Sequence, residues 1–439
     1  MEIKVGLIGF GTVGTGVAKV LYDNASIIKA RLGCDVVLKK IADKDIITKR
    51  CVSVPPGVLT IDADSVINDP DISVVVELIG GIDAAKTIIS KSLENGKHVV
   101  TANKALLSTH GKELFTLARE KNLSLGFEAS VAGGIPIIKS LKEGLSANNI
   151  NSIYGIINGT ANYILSKMTS EGGKFVDILK EAQAKGYAEK DPTYDVEGID
   201  TAHKLAILIN LAYGTYVNLS DIYTEGITRI SPIDVAFAKE FGYKIKLLAI
   251  AKSSGGSIEA RVHPTMIPFS HPLCAVDGVF NAVHIVGDAA GPVMFYGKGA
   301  GMMPTASAVV ADIMDVCRDV KKGCSTRLAP LSYSDGAIKD ILIKNIDELE
   351  CAYYLRFTVA DKPGVLSGIS GALGAHNISI ASVIQKGRAA EGGVVPLVII
   401  THGAKEKELK KALSDISKIS AVTDKIMYVR IEESGGGTQ

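Results

Sequence analysis

Ile3-Lys4-Val5-Gly6-Leu7-Ile8-Gly9-Phe10-Gly11-Thr12-Val13-Gly14 opens the chain with a short apolar run, a G-x-G-x-x-G turn and the start of a helical pattern. The glycines permit a tight turn, close approach of a pyrophosphate and close helix-to-strand packing, while N–H groups at the helix start attract anionic oxygens. Gly9, Phe10, Gly11, Thr12, Val13 and Gly14 are therefore candidate cofactor-binding residues. Such a turn can also serve packing alone, but its strand-turn-helix setting favours dinucleotide binding.

Around this turn, residues 1–130 alternate apolar strands (Ile3 to Ile8, Val36 to Ala42, Ser73 to Leu78, His98 to Thr101, Leu123 to Phe127) with helical patterns such as Thr15 to Arg31. Continuously apolar strands in that rhythm predict a parallel sheet covered on both faces, an α/β fold of the Rossmann type. Beyond residue 130 the pattern changes to strand pairs. Lys244 to Ala251 and Ile258 to Ile267 flank Ser253-Ser254-Gly255-Gly256-Ser257, and Asn281 to Val286 faces Val293 to Gly297. This predicts an antiparallel α+β domain over 131–304, with a helix over about 305–325 returning to the first domain. After a linker at 326–349, residues 350–433 read β-α-β-β-α-β, the ferredoxin-like order, followed by a flexible tail at 434–439.

Composition narrows the function. The 439 residues carry 48 Lys and Arg against 47 Asp and Glu, a net charge of +1, with no block of like charge, which argues against a nucleic-acid or membrane-surface protein. Apolar stretches such as Val394 to Ile400 fall far short of the ~18 residues of a membrane span. The N-terminus shows no secretory signal. The expectation is a soluble cytoplasmic protein. The six cysteines have no metal-ligand spacing and read as buried free thiols. The 45 glycines suggest backbone pressed against ligands at several places.

Asp43 follows the second strand, where an acid accepts hydrogen bonds from ribose hydroxyls and favours NAD. Lys44 and Lys49-Arg50 are cations within reach that could accommodate NADP, and Asp43 could merely cap the next turn. Asp200 and Lys204 lie at i and i+4 on a helix that is apolar on nearly every side. Burying that ammonium without partners would cost several kcal/mol, so a cleft-facing pair with Lys204 poised for proton transfer explains the pattern better than an exposed ion pair. Lys104, in Thr101-Ala102-Asn103-Lys104, follows a strand at the carboxyl edge where open α/β sheets bind ligands, though a surface lysine would read the same. Glu128-Ala129-Ser130-Val131-Ala132-Gly133-Gly134-Ile135-Pro136 could aim several carbonyls at one cation; most loops of this kind bind nothing.

Taken together, GFGTVGTG (Gly9 to Gly16), ELIGG (Glu77 to Gly81), TANK (Thr101 to Lys104), EASVAGGIPII (Glu128 to Ile138), NGTANYIL (Asn158 to Leu165), GYAEKDPTYDVEGIDTAHK (Gly186 to Lys204) and GKGAGMMPTASAVVADI (Gly297 to Ile313) resemble the homoserine dehydrogenases. Asp361-Lys362-Pro363-Gly364-Val365-Leu366 and Asn377-Ile378-Ser379-Ile380 resemble an ACT domain. The resemblance implies NAD(P)-dependent interconversion of L-homoserine and L-aspartate 4-semialdehyde, on the way to threonine, isoleucine and methionine. It implies Lys204 as general acid/base and Lys104 near cofactor and substrate, with Gly186, Glu189, Asp195 and Asp200 binding substrate. Phe10, Thr12, Val13, Lys104 and Gly301 match cofactor positions, with Asp43 and Lys44 where the family reads the coenzyme. Glu128, Val131, Gly133 and Ile135 match a monovalent cation site, Na+. Asp361, Pro363, Gly364, Val365, Leu366 and Asn377 match a regulatory site for an amino acid such as threonine. A homodimer or homotetramer is implied. With no kinase segment before Met1, a monofunctional chain is expected. The competing readings are another ACT-containing dehydrogenase of an amino-acid pathway, or a ligand-sensing regulator without catalysis.

Overall fold

The computed structural model describes residues 1–324, 326–334, 336–387 and 393–433. The tail 434–439 lies outside the described residues. The chain forms two compact units, one of Met1–Gly159, Asp200–Ile222 and Phe280–Ile341, the other of Thr160–Ile199, Tyr223–Val279 and Leu342–Gln439.

In the first unit, strands β1 (Glu2–Ile8), β2 (Asp35–Ala42), β3 (Leu59–Thr60), β4 (Ile72–Glu77), β5 (His98–Thr101) and β6 (Leu125–Gly126) form a parallel sheet in the order β3-β2-β1-β4-β5-β6. Val5, Leu7, Val74, Val76 and Val100 are fully buried, packed with Val17 and Leu21 of the first helix and Val309 and Ile313 of helix Met302–Lys321. The strand order reverses direction between β1 and β4. Loops leaving these two carboxyl ends diverge and leave a crevice there, the position at which open α/β sheets bind ligands. The helix expected over Thr15 to Arg31 is two, Thr12–Asp23 and Ala25–Leu32. Asn24 leaves helical geometry between them, as a residue whose side chain competes for backbone hydrogen bonds does readily. The last strand is shorter than expected because Glu128–Ser130 already turns as a 3₁₀ helix. Also in this unit, Ile150–Ile156, Phe280–Gly287 and Gly291–Lys298 make an antiparallel trio.

In the second unit, Tyr243–Ser254 and Ser257–Pro268 form a long hairpin, turning at Gly255 and Gly256. Its second strand also pairs in parallel with Tyr223–Thr224, Leu342–Ile343 and Met427–Ile431. The sheet is thus mixed, a correction to the antiparallel expectation. The C-terminal segment forms the expected β-α-β-β-α-β unit, with sheet order Met427–Ile431, Glu350–Ala360, Val394–Thr401, Ile380–Gln385. Helices Val365–Ala375 and Glu406–Ile416 contribute Ile369, Leu373, Leu409 and Ile416 to its core, against Tyr353, Leu355 and Phe357 on alternate positions of the first strand. The last strand, expected from Ala421, starts at Met427, because Asp424-Lys425 interrupt the apolar pattern.

All six cysteines are free, and Cys34, Cys274 and Cys317 are buried as expected, whereas Cys51 and Cys324 are exposed and Cys351 is intermediate. The exposed two stand beside charged residues, Lys49-Arg50 before Cys51 and Lys321-Lys322 before Cys324. Among the described residues no helix is long and apolar enough to cross a membrane.

Candidate functional site

Gly9 lies at φ +104°, and a Cβ there would stand 2.6 Å from the Leu78 carbonyl. A Cβ on Gly14 would stand 2.1 Å from the Gly9 carbonyl oxygen, so the turn closes only with glycine at both positions. Gly11 faces open space and Thr12 is exposed, and no side chain caps the start of helix Thr12–Asp23. This is a cradle open to an anion, formed by backbone at a helix N-terminus, and it fits the diphosphate of a dinucleotide. Gly301, at φ +117°, precedes helix Met302–Lys321, whose Met302 carbonyl and Ala306 contact Gly16. That contact brings Gly301 to the same end of the first helix. The Asp43 carboxylate accepts the Phe10 N–H and, 2.8 Å away, the Asp45 N–H; Lys44 is exposed.

Three segments far apart in sequence converge on Asp200. Lys204 Nζ donates to Asp200 Oδ2 at 2.7 Å and to the Ile157 carbonyl at 2.7 Å, Lys104 Nζ pairs with Asp200 Oδ1 at 3.0 Å, and Asn158 Nδ2 donates to Oδ2 at 2.9 Å. Burial works against the charged form of Asp200, but the Lys204 and Lys104 ammonium groups overcome it and hold the carboxyl well below its usual range. The side chains of Asp200 and Lys204 are 8% and 12% exposed, against 40% for Lys104. The cluster therefore has a closed side and one side that meets solvent.

The start of the Lys104 helix is anchored by a chain of hydrogen bonds that runs from buried Glu77 to half-buried Asn103. Glu77, fully buried at the end of β4, accepts from the Thr101 hydroxyl at 2.7 Å and the Ile79 N–H at 2.8 Å. The Thr101 oxygen accepts the Asn103 N–H at 3.0 Å, and Asn103 caps helix Lys104–Glu120 by accepting from Leu106 N while donating to the Gly81 carbonyl at 2.6 Å. Burial pushes the Glu77 carboxyl above its usual range, and the donors around it oppose that rise in part. In the sequence, Glu77, Thr101, Asn103 and Asn158 are marked only by membership of a motif. The hydroxyl and amide types at strand ends were the available signal.

Gly186, Glu189 and Asp195 belong to the second unit. Gly186 ends the turn after helix Phe175–Ala184, the exposed Glu189 carbonyl accepts from Gln183 Nε2 at 3.0 Å, and the Asp195 carbonyl accepts the Gly198 N–H. In the 128–135 loop of the first unit, Ala132 and Gly133 are both left-handed, and a Cβ on Gly133 would meet the Gly299 carbonyl oxygen at 2.5 Å. The Glu128 carboxylate accepts the Ile138 and Lys139 N–H groups at 2.8 Å each, and burial beside Asp312 pushes it up to about 7. Among the described residues no cluster of three or more His, Cys, Asp or Glu could hold a metal. What remains at this loop, with Glu128, Val131, Gly133 and Ile135 all buried, is main-chain carbonyl, a donor suited to a hard monovalent ion. In the C-terminal unit Asp361 N–H donates to the Gly393 carbonyl, Pro363 and Gly364 are exposed, Val365 is buried, Leu366 is exposed, and Asn377 is left-handed and exposed.

Comparison with known proteins places these features in one family. The family model described as homoserine dehydrogenase matches residues 136–314, that of the homoserine dehydrogenase NAD-binding domain residues 9–128, and that of the ACT domain residues 353–419. The homoserine dehydrogenase of Neisseria gonorrhoeae is 46% identical over 430 residues, 98% of each chain. The crystal structure of a homoserine dehydrogenase from Thiobacillus denitrificans superposes with a TM-score of 0.93 at 45% identity, covering 99% of both chains. A hyperthermophilic archaeal homoserine dehydrogenase in complex with NADPH matches 72% of this chain and 98% of its own, with a TM-score of 0.60 and 28% identity.

Proposed function

The chain belongs to the homoserine dehydrogenase family, with a nicotinamide-cofactor domain and an ACT domain, and from that premise we propose how its own residues carry the interconversion of L-homoserine and L-aspartate 4-semialdehyde. When bound in the Gly9–Gly14 cradle, the cofactor supplies hydride exchange with the substrate carbon that bears the hydroxyl. Lys204 is the general acid/base at that carbon's oxygen: it gives its proton to the aldehyde oxygen during reduction and recovers it from the hydroxyl during oxidation. Asp200 holds Lys204 on one carboxylate oxygen and Lys104 on the other, which keeps both ammonium groups beside each other for the substrate oxygen. Lys104, the exposed member, is the first to meet an incoming substrate and the cofactor. Gly186, Glu189 and Asp195 bind the amino-acid end of the substrate, with the Glu189 carboxylate as partner for its ammonium. The Lys204–Asp200–Lys104 contact carries this reading, because two ammonium groups on one buried carboxylate are costly as packing and useful as a proton-transfer site.

Asp43, at the end of β2, disposes the site toward NAD over NADP through the ribose hydroxyls. The carbonyls of Glu128, Val131, Gly133 and Ile135 hold a monovalent cation, Na+. Asp361, Pro363, Gly364, Val365, Leu366 and Asn377 bind an amino-acid effector such as threonine, which feeds back on a step toward threonine, isoleucine and methionine. The domains so assigned are 1–130 with the helix returning over about 305–325, 131–304, a linker at 326–349, and 350–433. A cytoplasmic homodimer or homotetramer completes the proposal. Steady-state kinetics on L-homoserine with NAD and with NADP, each with and without threonine and Na+, tests it. Turnover with neither coenzyme would refute the catalytic reading, and indifference to threonine would refute the effector.

A further inference from the structure

We propose that Arg50 and Asp43 form a clasp on the two peptide groups of Phe10 that fixes the glycine-rich turn in its dinucleotide-accepting shape, which makes Arg50 a positioning residue and not a reader of a 2′-phosphate. The inference rests on the assignment of Gly9–Gly14 as the dinucleotide site. Phe10 is the central residue of Gly9-Phe10-Gly11, and both of its backbone polar groups are taken by side chains from the segment after β2. Its N–H donates to Asp43 Oδ2 and its carbonyl accepts from Arg50 Nε at 2.9 Å, with the Thr15 hydroxyl adding a bond at 3.3 Å. The guanidinium also lies over the Phe10 ring, 5.8 Å from its centre.

The remaining contacts close a circuit. The second Asp43 oxygen accepts the Asp45 N–H at 2.8 Å, and Arg50 Nη2 donates to the Asp45 carbonyl at 3.1 Å and approaches its carboxylate at 3.4 Å. Arg50 Nη1 donates to the Thr48 carbonyl at 3.0 Å. Phe10, Asp43, Asp45 and Arg50 therefore form one hydrogen-bonded ring joining the turn to the 43–50 segment. Four of the five guanidinium N–H groups point at protein oxygens. A phosphate drawing Arg50 outward would have to break the ring. A turn with flexible glycines on both sides of Phe10 loses much conformational freedom when it is ordered around a ligand. Fixing the turn beforehand moves that loss out of the binding step.

The experiment is a fluorescence titration of the full-length wild type, Arg50→Ala and Arg50→Lys with NADH and with NADPH, together with hydrogen exchange of the segment 5–14 without cofactor. The clasp predicts that Arg50→Ala weakens both cofactors by a similar factor, about 10-fold for a lost charged hydrogen bond. It predicts faster exchange of the turn in the apoprotein, and incomplete rescue by Arg50→Lys, whose single nitrogen cannot reach Phe10 and Asp45 together. Selective loss of NADPH binding with slow exchange retained overturns it, as does unchanged affinity for both. Should Arg50→Ala fail to fold, Arg50→Gln is held to the same criteria. Absence of NADH binding by the wild type would instead sink the dinucleotide-site assignment.

Discussion

The two units each bury a cluster of charges, and the clusters are built differently. In the second unit Arg430 pairs with Glu406 at 2.5 Å and Glu225 at 2.9 Å, its side chain and that of Glu406 being 2% and 0% exposed. Tyr353 donates to the same Glu406, and nearby Arg261 pairs with Glu432, which Lys252 also reaches at 2.6 Å. Each charge there meets protein partners of opposite sign, and Arg430, Glu406, Arg261 and Glu432 are buried, with Lys252 at 29% the exposed member. In the first unit two ammonium groups share one carboxylate, and Lys104 reaches solvent. Buried charge alone does not mark a reactive site. What separates the two is that in the first unit two lysines, one of them 40% exposed, share one carboxylate, whereas in the second each buried carboxylate is held by a guanidinium only 2% exposed.

The strongest test of that distinction is Lys204→Ala. Turnover should fall by ~100-fold or more, the scale of a lost general acid/base, while NADH still binds by fluorescence. Near-normal turnover would erase the distinction. Next is Arg430→Met, which takes the guanidinium from the buried Glu406 and should lower stability by about 3 kcal/mol in urea unfolding, with kcat per folded molecule unchanged. A large loss of kcat with stability intact would reverse the roles of the two clusters. A smaller effect is expected for Asn158→Ala, which removes one hydrogen bond from Asp200; kcat should drop by about 10-fold, the value of a bond to a charged group.

The smallest effect concerns pH. Lys246 in the second unit is fully buried, donating to Asn162 Oδ1 at 3.0 Å and the Val276 carbonyl. Burial, opposed by Asp277, pushes its ammonium down to about 8. Between about 8 and the ordinary value of 10.5 the unfolded chain keeps a proton that the folded chain has released, so stability rises with pH across that window. The unfolding midpoint of wild type relative to Lys246→Met should rise over the same range. A flat difference would show that Lys246 stays charged in the folded chain.

Much of the fold could be read in advance because its signals are local. The G-x-G-x-x-G turn after an apolar run, the β-α-β-β-α-β order and the Asp200/Lys204 pair each lie within one stretch of chain, where period and spacing bear directly on geometry. The break at Asn24 is not legible in the sequence, because an asparagine between two apolar-periodic segments does not announce whether the helix continues through it. The parallel pairing of Met427–Ile431 with Ser257–Pro268 was missed because strand patterning states which residues face inward but not which strand lies alongside.

The strand-and-helix rhythm of each segment, the glycines that only a closed turn accepts, and the shared helix face of Asp200 and Lys204 are written in the local sequence, since they follow from backbone sterics and helical period. That Lys104 reaches the same carboxylate, that Glu77 and Thr101 anchor the start of its helix through Asn103, that Asn158 braces Asp200, and that Arg50 turns inward on Phe10 all come from tertiary packing. These are contacts between segments distant in the chain. Packing of the sheet and its covering helices brings them together, and no local propensity encodes them.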